Sequence, residues 1–463
     1  MDSQLTREHW GSRLGFVLAA VGSAVGLGNI WKFPYITGEN GGGLFVLIYL
    51  FCIALVGIPI MMAEITIGRS SQKSPVGAFA ELAGENSNWK LVGFLGVLSG
   101  FVILSYYSVV AGWALNYTFM SLTNFFEGKT PTEIGNTFTT LYTSGGINVF
   151  WHAIFMVLVV GVVIGGVKKG IERWNRFLMP VLIMIFVILA IISMFLSGWG
   201  EAVDFVFFPH VDRLKPSGVL EALGHAFFTL SLGMGAMLTY GSYLERDSDI
   251  PKASIMIGIL DTFVALLACM VMFPIIFTYG HDPQAGPGLV FQTLPIIFSE
   301  IGGGGMFLSF LFFVLIVFAA LSSAVSLLEV VTSYFIDQME WDRKKATLLT
   351  GAIVFLFGIP SALSGSGDLF PQWEAMYGKN FFDTVDYLAS NWMLPLGGLF
   401  ISIYVGWGLD PALRKAELTK GTSWTQSWFY KGWVILLKYI APVAVMLIII
   451  QRVGLIDIDA LLR

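Results

Sequence analysis

The most informative feature of this 463-residue sequence is how little charge it carries. Only 12% of the residues are Asp, Glu, Lys or Arg, against about 25% in ordinary soluble domains, and 56% are apolar. So few charges cannot cover the surfaces of the roughly three soluble domains that this length would otherwise suggest. Lipid is the alternative solvent for the apolar side chains, because a spanning helix needs about 20 apolar residues. The composition therefore predicts a polytopic membrane protein.

Basic charge, cysteine and catalytic motifs are also scarce. The net charge of −5 leaves no basic domain to neutralise phosphates, which argues against a nucleic-acid partner. Cys52 and Cys269 lie in separate apolar runs, so they form neither a disulfide framework nor a zinc-ligand spacing. The N-terminus lacks the pattern of a cleavable signal peptide. No nucleophilic constellation of Ser, His and Asp is recognisable, so we do not expect an enzyme.

Charge-poor apolar runs recur along the chain and predict about eleven helices, which we number as spans one to eleven. Their predicted ranges are 13–36, 41–67, 91–122, 149–166, 177–197, 220–243, 253–279, 304–336, 346–363, 381–407 and 432–451. Most Lys and Arg residues, from Arg7 to Lys431, fall in one set of loops, and the opposite set is nearly free of them. Basic loops stay inside the cell, so the N-terminus is predicted to be cytoplasmic.

The chain divides into two similar halves around residues 198–219. The predicted units are a first repeat (1–197), an extracellular connecting loop (198–219), a second repeat (220–407), and a cytoplasmic loop with span eleven and a tail (408–463). Spans one and six are both interrupted by glycines, at residues 22–29 and 229–236. One interruption alone is explained equally well by close helix packing through small residues. Two matched interruptions favour inverted repeats whose broken helices meet at a midplane binding site.

Broken helices in lipid need polar partners, because each unpaired backbone group there costs several kcal/mol. Half-helix N-termini attract a carboxylate, and freed carbonyl groups attract a cation. The small polar residues near these breaks, and in span eight, are Ser23, Asn29, Thr229, Ser231, Ser322 and Ser323. Such oxygen ligands suit a hard cation such as sodium and not zinc or copper. The residues therefore favour a sodium-coupled carrier of a small anionic or zwitterionic molecule.

At these positions the sequence resembles the neurotransmitter:sodium symporter family, and most closely its bacterial amino-acid transporters of the leucine-transporter type. The resemblance runs from Arg7 to about span eleven and is carried by Arg7–Trp10, Gly22–Pro34, Glu39–Gly43, Tyr106–Tyr107 and Phe227–Gly235. It implies an all-α fold with a 5+5 inverted repeat, broken spans one and six, and alternating access to one central site. It also implies a bacterial inner (plasma) membrane location.

The resemblance implies two sodium sites. Site one would use the backbone carbonyl groups of Ala24 and Thr229, the Thr229 hydroxyl, Asn29, Asp261 and the substrate carboxylate. Site two would use the residues Gly22, Val25, Ala319, Ser322 and Ser323, the first three through their carbonyl groups. For the two serines, ordinary interhelical hydrogen bonding is the alternative.

Asp261 is an acid inside the apolar span seven, which makes it a functional candidate by default. A locally paired or neutral carboxyl group is the alternative. Many animal relatives carry Asn at this position and bind chloride beside it. The resemblance therefore implies that Asp261 supplies the negative charge here and that transport is chloride-independent. Ala265 also lacks the hydroxyl group that chloride-dependent relatives often carry. His225 departs from the usual glutamine. A proton-linked role near Tyr49 and Asp261 is open, but a structurally hydrogen-bonded histidine is the favoured interpretation.

The resemblance also implies a substrate pocket. Monoamine carriers place an aspartate at the position of Gly26, and glycine here leaves room for the carboxylate of an amino acid. Tyr107 would donate its hydroxyl to that carboxylate, and the adaptable Met234 would help to accept a large neutral side chain such as that of Leu, Met, Tyr or Trp. The predicted lining residues are Ser23, Ala24, Gly26, Leu27, Gly28, Ile103, Tyr107, Phe228, Thr229, Ser231, Met234, Ser323 and Leu327.

Two gates follow from the same resemblance. The outer gate would pair Lys32 with Asp386, and because lysine lacks the bidentate fork of the usual arginine, this gate is expected to be looser or water-mediated. The inner gate would pair Arg7 with Asp337, beside Trp10 and Tyr243, with solvated residues at helix ends as the alternative. Gly170 and Pro180 match a family spacing linked to unwinding of span five. Glu64 and Glu329 are interpreted as structural acids.

These observations predict a sodium-coupled symporter that imports a neutral hydrophobic or aromatic L-amino acid by alternating access. Each net positive charge that moves inward gains about 2.3 kcal/mol per 100 mV of membrane potential, which can drive accumulation of the substrate. The expected partners are the amino-acid substrate, the lipid bilayer and sodium ions, which number two by the resemblance. No nucleic-acid partner is expected, and a homodimer is left open. The alternative function is an amino-acid-binding channel or a transport-fold sensor without coupled translocation.

Overall fold

The computed structural model describes residues 7–210, 214–281, 288–301, 304–422 and 427–453. In these ranges the chain is built from helices and connecting turns, without strands. Nine helices of this part are long and apolar enough to cross a membrane, or ten when one bent pair is counted as a span. The predicted membrane-spanning organisation is therefore present.

The unbroken spans are longer than the hydrocarbon thickness requires in several cases, which allows tilt. Spans two to five and seven to eleven are Gly43–Ser71, Lys90–Leu122, Gly145–Val163, Val167–Ser193, Ile250–Thr278, Gly305–Met339, Arg343–Ala362, Phe381–Gly408 and Ser427–Gln451. Shorter helices between spans are Pro75–Ala83, Pro131–Thr143, Trp199–Phe207, Leu294–Glu300, Trp373–Tyr377 and Pro411–Thr419.

Spans one and six are broken, as the glycine patterns predict. Span one consists of Arg13–Ala24 and Gly28–Glu39, which meet at an angle of 49°. Span six consists of Gly218–Thr229 and Ala236–Gly241. Between its halves the backbone enters the left-handed region at Ser231, Gly233 and Gly235 (φ 54°, 78° and 75°), where glycine has no Cβ to clash.

The two largest differences from the predicted organisation concern the start of span five and the segment that follows it. Span five begins at Val167, ten residues before the predicted 177, because a polar π-helical turn (Val167–Glu172) continues the helix beyond its apolar part. The segment 198–219, predicted as a loop, contains the helix Trp199–Phe207. That helix is amphipathic and packs on span seven, where the ring of Phe205 lies 5.0 Å from the ring of Phe273.

Spans three and eight form the centre of the bundle. They are the most buried of the long helices, with 78% and 83% of their most apolar stretches inside the protein. Spans four, five and eleven leave much of their apolar surface facing outward, where lipid can solvate it. The broken helices lie against this central pair, so their unwound segments are enclosed by protein, as backbone without helical hydrogen bonds requires.

Candidate transport site

The thirteen residues predicted for the substrate pocket line one cavity where spans one, three, six and eight meet. The cavity measures about 20 Å³, enough for about one water molecule. An amino acid is larger, so the walls must move apart before one can enter. The structure therefore brings the predicted pocket together in a closed form.

Gly26 and Tyr107 shape the cavity at the break of span one. The Tyr107 hydroxyl accepts a hydrogen bond from the Leu27 backbone N–H at 3.1 Å. A Cβ atom at position 26 would lie 2.5 Å from Ser323 Oγ and 2.8 Å from Tyr107 Oη. A larger residue here would have to displace these two hydroxyl groups, and the space above Gly26 is bordered by hydroxyl groups that can donate to an anion.

The residues predicted for sodium site one meet around the Asp261 carboxylate, which is fully buried. Asn29 Nδ2 donates to Asp261 Oδ1 at 2.8 Å, and Thr229 Oγ1 donates to the same oxygen at 3.0 Å. Tyr49 adds a hydrogen bond of 3.2 Å to Oδ2, a contact that the sequence did not assign. Ala24 lies on the adjacent cavity wall. The carboxylate thus sits in a polar cluster beside the cavity, as a buried charge requires.

The residues predicted for sodium site two also come together. Ser323 Oγ lies 3.2 Å from the Gly22 carbonyl oxygen and 3.3 Å from that of Val25. Ser322 Oγ donates to the Ala319 carbonyl oxygen at 2.9 Å. Carbonyl and hydroxyl oxygens from spans one and eight therefore converge, which is the donor set that a hard cation prefers.

The predicted inner gate is a direct ion pair. Arg7 Nη1 lies 2.5 Å from each carboxylate oxygen of Asp337, and both side chains are only about 15% exposed. The guanidinium group stacks over the Tyr243 ring at 4.5 Å. Trp10 packs beside Tyr243, with 6.1 Å between ring centroids. The alternative of solvated residues at helix ends does not describe this arrangement.

The two residues of the predicted outer gate, for which a looser or water-mediated pairing is expected, do not contact each other directly. Lys32 and Asp386 both line a second cavity of about 70 Å³, but no ion pair within 4.0 Å joins these two described residues. Lys32 Nζ instead lies 5.0 Å above the Phe228 ring, and Asp386 accepts a hydrogen bond from Ser390 at 3.0 Å. The physical reason is that a lysine ammonium group offers no planar fork to hold a carboxylate across this gap.

His225 also differs from expectation, because the favoured interpretation was a hydrogen-bonded histidine. The ring is buried, and neither nitrogen has a hydrogen-bond partner among the described residues. It stacks on Phe33 with 5.5 Å between centroids and lies 5.6 Å from the Tyr49 ring. Aromatic packing therefore takes the place of the expected hydrogen bond.

Glu64 and Glu329 are hydrogen-bonded acids, in line with a structural interpretation. Glu64 Oε1 accepts from the Gly233 backbone N–H at 2.7 Å and so supports the break of span six. Glu329 accepts from the Tyr243 hydroxyl at 2.5 Å and from Arg343 at 2.8 Å. These contacts hold the walls of the site without facing the central cavity.

Comparison with known proteins decides the family. A model of the sodium:neurotransmitter symporter family matches residues 7–140 and 124–459. The chain belongs to this family. Among its relatives, the sodium-dependent transporter YhdH of Bacillus subtilis is 38% identical over 450 residues, which cover 97% of this chain and 98% of the relative. The bovine sodium-dependent neutral amino acid transporter B(0)AT2 is 28% identical over 304 residues, covering 58% of this chain and 41% of the relative.

A solved structure of another transporter supports the same assignment. MhsT in complex with L-phenylalanine is 46% identical, with a TM-score of 0.88 over 96% of this chain and 99% of MhsT. The predicted leucine-transporter fold, with its 5+5 inverted repeat and broken spans one and six, is confirmed by this match. The protein is therefore a multi-pass, sodium-dependent symporter of the sodium:neurotransmitter symporter family, as the sequence predicts.

Proposed function

We propose that this symporter imports a neutral hydrophobic or aromatic L-amino acid together with two sodium ions, without chloride, across a bacterial inner membrane. The observation that carries the proposal is the Asp261 cluster beside the central cavity. A buried carboxylate held by Asn29, Thr229 and Tyr49 would supply a negative charge where a cation and an anionic group of the substrate would meet.

The amino-acid substrate is inferred from both ends of the cavity. At one end, Gly26 and the Tyr107 hydroxyl leave a polar space that suits a carboxylate. At the other end, Ile103, Met234 and Leu327 make the wall apolar, which suits a large neutral side chain. The bound L-phenylalanine of MhsT and the neutral amino acid named for the bovine relative fit this assignment.

Two sodium ions follow from two separate oxygen clusters. One surrounds Asp261 and Asn29, and the other joins Gly22 and Val25 to Ser323. Site one touches the substrate cavity through Thr229, so an ion there and the substrate carboxylate would stabilise each other. With the N-terminus in the cytoplasm, opening of the Arg7–Asp337 gate would release both ions and substrate inward.

Sodium-driven uptake into proteoliposomes tests this function. We expect saturable accumulation of labelled L-phenylalanine that requires an inward sodium gradient and persists when gluconate replaces chloride. A channel would equilibrate the amino acid without accumulating it, and a sensor would bind it without uptake. Accumulation that is indifferent to the sodium gradient would contradict the proposal. Competition by the other amino acids would then rank the substrates.

Replacement of Asp261 by Asn tests the source of the negative charge. Asp261→Asn should reduce chloride-free uptake by about tenfold or more, because a charged hydrogen-bonding partner is lost. Added chloride should then restore part of the uptake, unless the substitution abolishes transport altogether. Asp383→Asn is the matched control, since Asp383 is an exposed acid on the outer part of span ten. Unchanged chloride-free transport by Asp261→Asn would show that Asp261 does not supply the negative charge that transport needs.

A further inference from the structure

Asn175 in span five carries a buried amide oxygen that belongs to neither proposed sodium site and does not line the substrate cavity. The side chain is 1% exposed, and Oδ1 has no hydrogen-bond partner within the described part of the chain. Buried polar oxygens are nearly always paired, because leaving one unpaired forfeits its interaction with water. Such an oxygen is free to bind a ligand that supplies positive charge or a proton, and its surroundings decide which one.

The orientation of the Asn175 amide is fixed by its other half. Nδ2 donates a hydrogen bond of 2.9 Å to the carbonyl oxygen of Ile171. A flipped amide would place Oδ1 against that carbonyl oxygen, and two acceptors would then face each other. The oxygen is therefore the atom directed away from span five and toward span one.

Asn175 Oδ1 reaches the residues proposed for sodium site two. A Cβ atom built on Gly22 would lie 2.1 Å from Asn175 Oδ1 and 3.1 Å from Ser322 Cβ. The amide oxygen and Ser322 thus both border the Cα of Gly22, whose own carbonyl oxygen lies 3.2 Å from Ser323 Oγ. Glycine at position 22 is what allows span five to approach this closely.

The next polar group on the same face of span five is an acid. Glu172 lies three residues before Asn175, one helical turn away, and its side chain is 4% exposed. Its carboxylate accepts from the Gly11 backbone N–H at 2.6 Å and pairs with Arg176 at 2.8 Å. Two oxygen-bearing side chains of span five therefore face the inner half of span one, and neither contributes to the predicted ligand sets.

We propose that Asn175 Oδ1 is a further ligand of the sodium ion at site two, contributed by span five. This inference rests on the proposed second sodium site. An amide oxygen is a hard, neutral donor of the kind that sodium accepts, and it would complete a shell otherwise drawn from spans one and eight. Because span five also carries the Gly170–Pro180 spacing, movement of its inner end would withdraw this ligand and loosen the ion.

Equilibrium binding of radioactive sodium to the purified, full-length transporter tests the ligand directly. Asn175→Leu removes the oxygen at similar volume and should raise the sodium concentration for half-saturation of the weakened site by about tenfold. Asn175→Asp keeps an oxygen at this place but loses the N–H that bonds Ile171, and it should bind sodium at least as tightly as the unmodified protein. Ser322→Ala should weaken the same binding component.

The pair of substitutions separates a ligand from a purely structural amide. If Asn175 only ties span five together through its N–H group, Asp should impair binding as much as Leu, and that result would overturn the inference. Normal sodium affinity in Asn175→Leu would overturn it too, while leaving two-sodium binding intact. If the unmodified protein shows only one sodium-binding component, the proposed function with two sodium ions is wrong instead. Ser193→Ala, at a buried hydroxyl farther along span five, is the control for folding.

Discussion

The inner and outer gates close the same cavity with different contacts. At the inner gate, Arg7 contacts Asp337 directly at 2.5 Å, and Asp337 also accepts from the Ser74 backbone N–H at 2.5 Å. At the outer gate, Lys32 lies over the Phe228 ring and does not contact Asp386 within ion-pair distance. One gate is a charge-assisted hydrogen-bond network and the other is a cation above an aromatic lid.

This difference indicates that the two gates resist opening unequally. Charge-assisted hydrogen bonds contribute about 1.5–3 kcal/mol, whereas a cation–π contact at a partly exposed site contributes about 0.5–1 kcal/mol. The inner gate also links three segments, because Arg7, Ser74 and Asp337 belong to the N-terminal segment, the turn before Pro75–Ala83, and span eight. We therefore expect this closed form to open outward more readily than inward.

The largest effect is expected from breaking the inner gate. Asp337→Asn removes the charge that holds Arg7 and should shift the protein toward inward-open forms. The readout is the rate at which a thiol reagent labels Ser326→Cys, a buried position whose hydroxyl accepts a hydrogen bond from the cavity-lining Ser23 at 2.7 Å. In a background with Cys52→Ser and Cys269→Ala, this labelling should become about tenfold faster.

The control for this substitution is Asp247→Asn. Asp247 pairs with Arg13 at 3.5 Å, but both side chains are 69% exposed, so solvent screens the pair. Its removal should leave the labelling rate unchanged. Equal labelling of Asp337→Asn and the unmodified protein would show that the ion pair does not hold the inner gate closed.

The broken helices were predictable because their signal is local. Glycines at 233 and 235 occupy backbone angles that other residues avoid, and the small polar residues around both breaks lie within a few positions of them. The pocket lining was predictable only through the family resemblance, since Ile103 and Leu327 are ordinary apolar residues in sequence. Periodicity alone does not separate a cavity wall from core packing.

The features that sequence analysis missed depend on contacts between distant segments. Asn175 gains its meaning from Gly22, which approaches it from another helix, and no pattern within span five reveals that. His225 stacks on Phe33 in place of a hydrogen bond for the same reason. The start of span five was missed because its charged first turn resembles a loop in composition. Tertiary contacts decide the first two cases, and local composition decides the third.

A smaller effect is expected at the outer gate. Lys32→Ala removes the cation above Phe228 and should speed dissociation of labelled L-phenylalanine from the sodium-loaded protein by about three- to fivefold. Lys129→Ala is the matched control, because Lys129 lies over the Phe125 ring outside the cavity. It should leave dissociation unchanged. Equal rates in Lys32→Ala and the unmodified protein would mean that Phe228 closes the cavity without help from Lys32.

The smallest effect is expected from making the two gates alike. Lys32→Arg supplies the planar fork that Lys32 lacks, so the guanidinium group can contact Asp386 across the 70 Å³ cavity. A partly exposed pair of this kind contributes about 0–1 kcal/mol, so dissociation of L-phenylalanine should slow by about twofold. Adding Asp386→Asn should cancel the gain if the new contact is an ion pair. A slower rate that survives this second substitution would locate the effect at the Phe228 ring, where arginine also stacks more strongly than lysine.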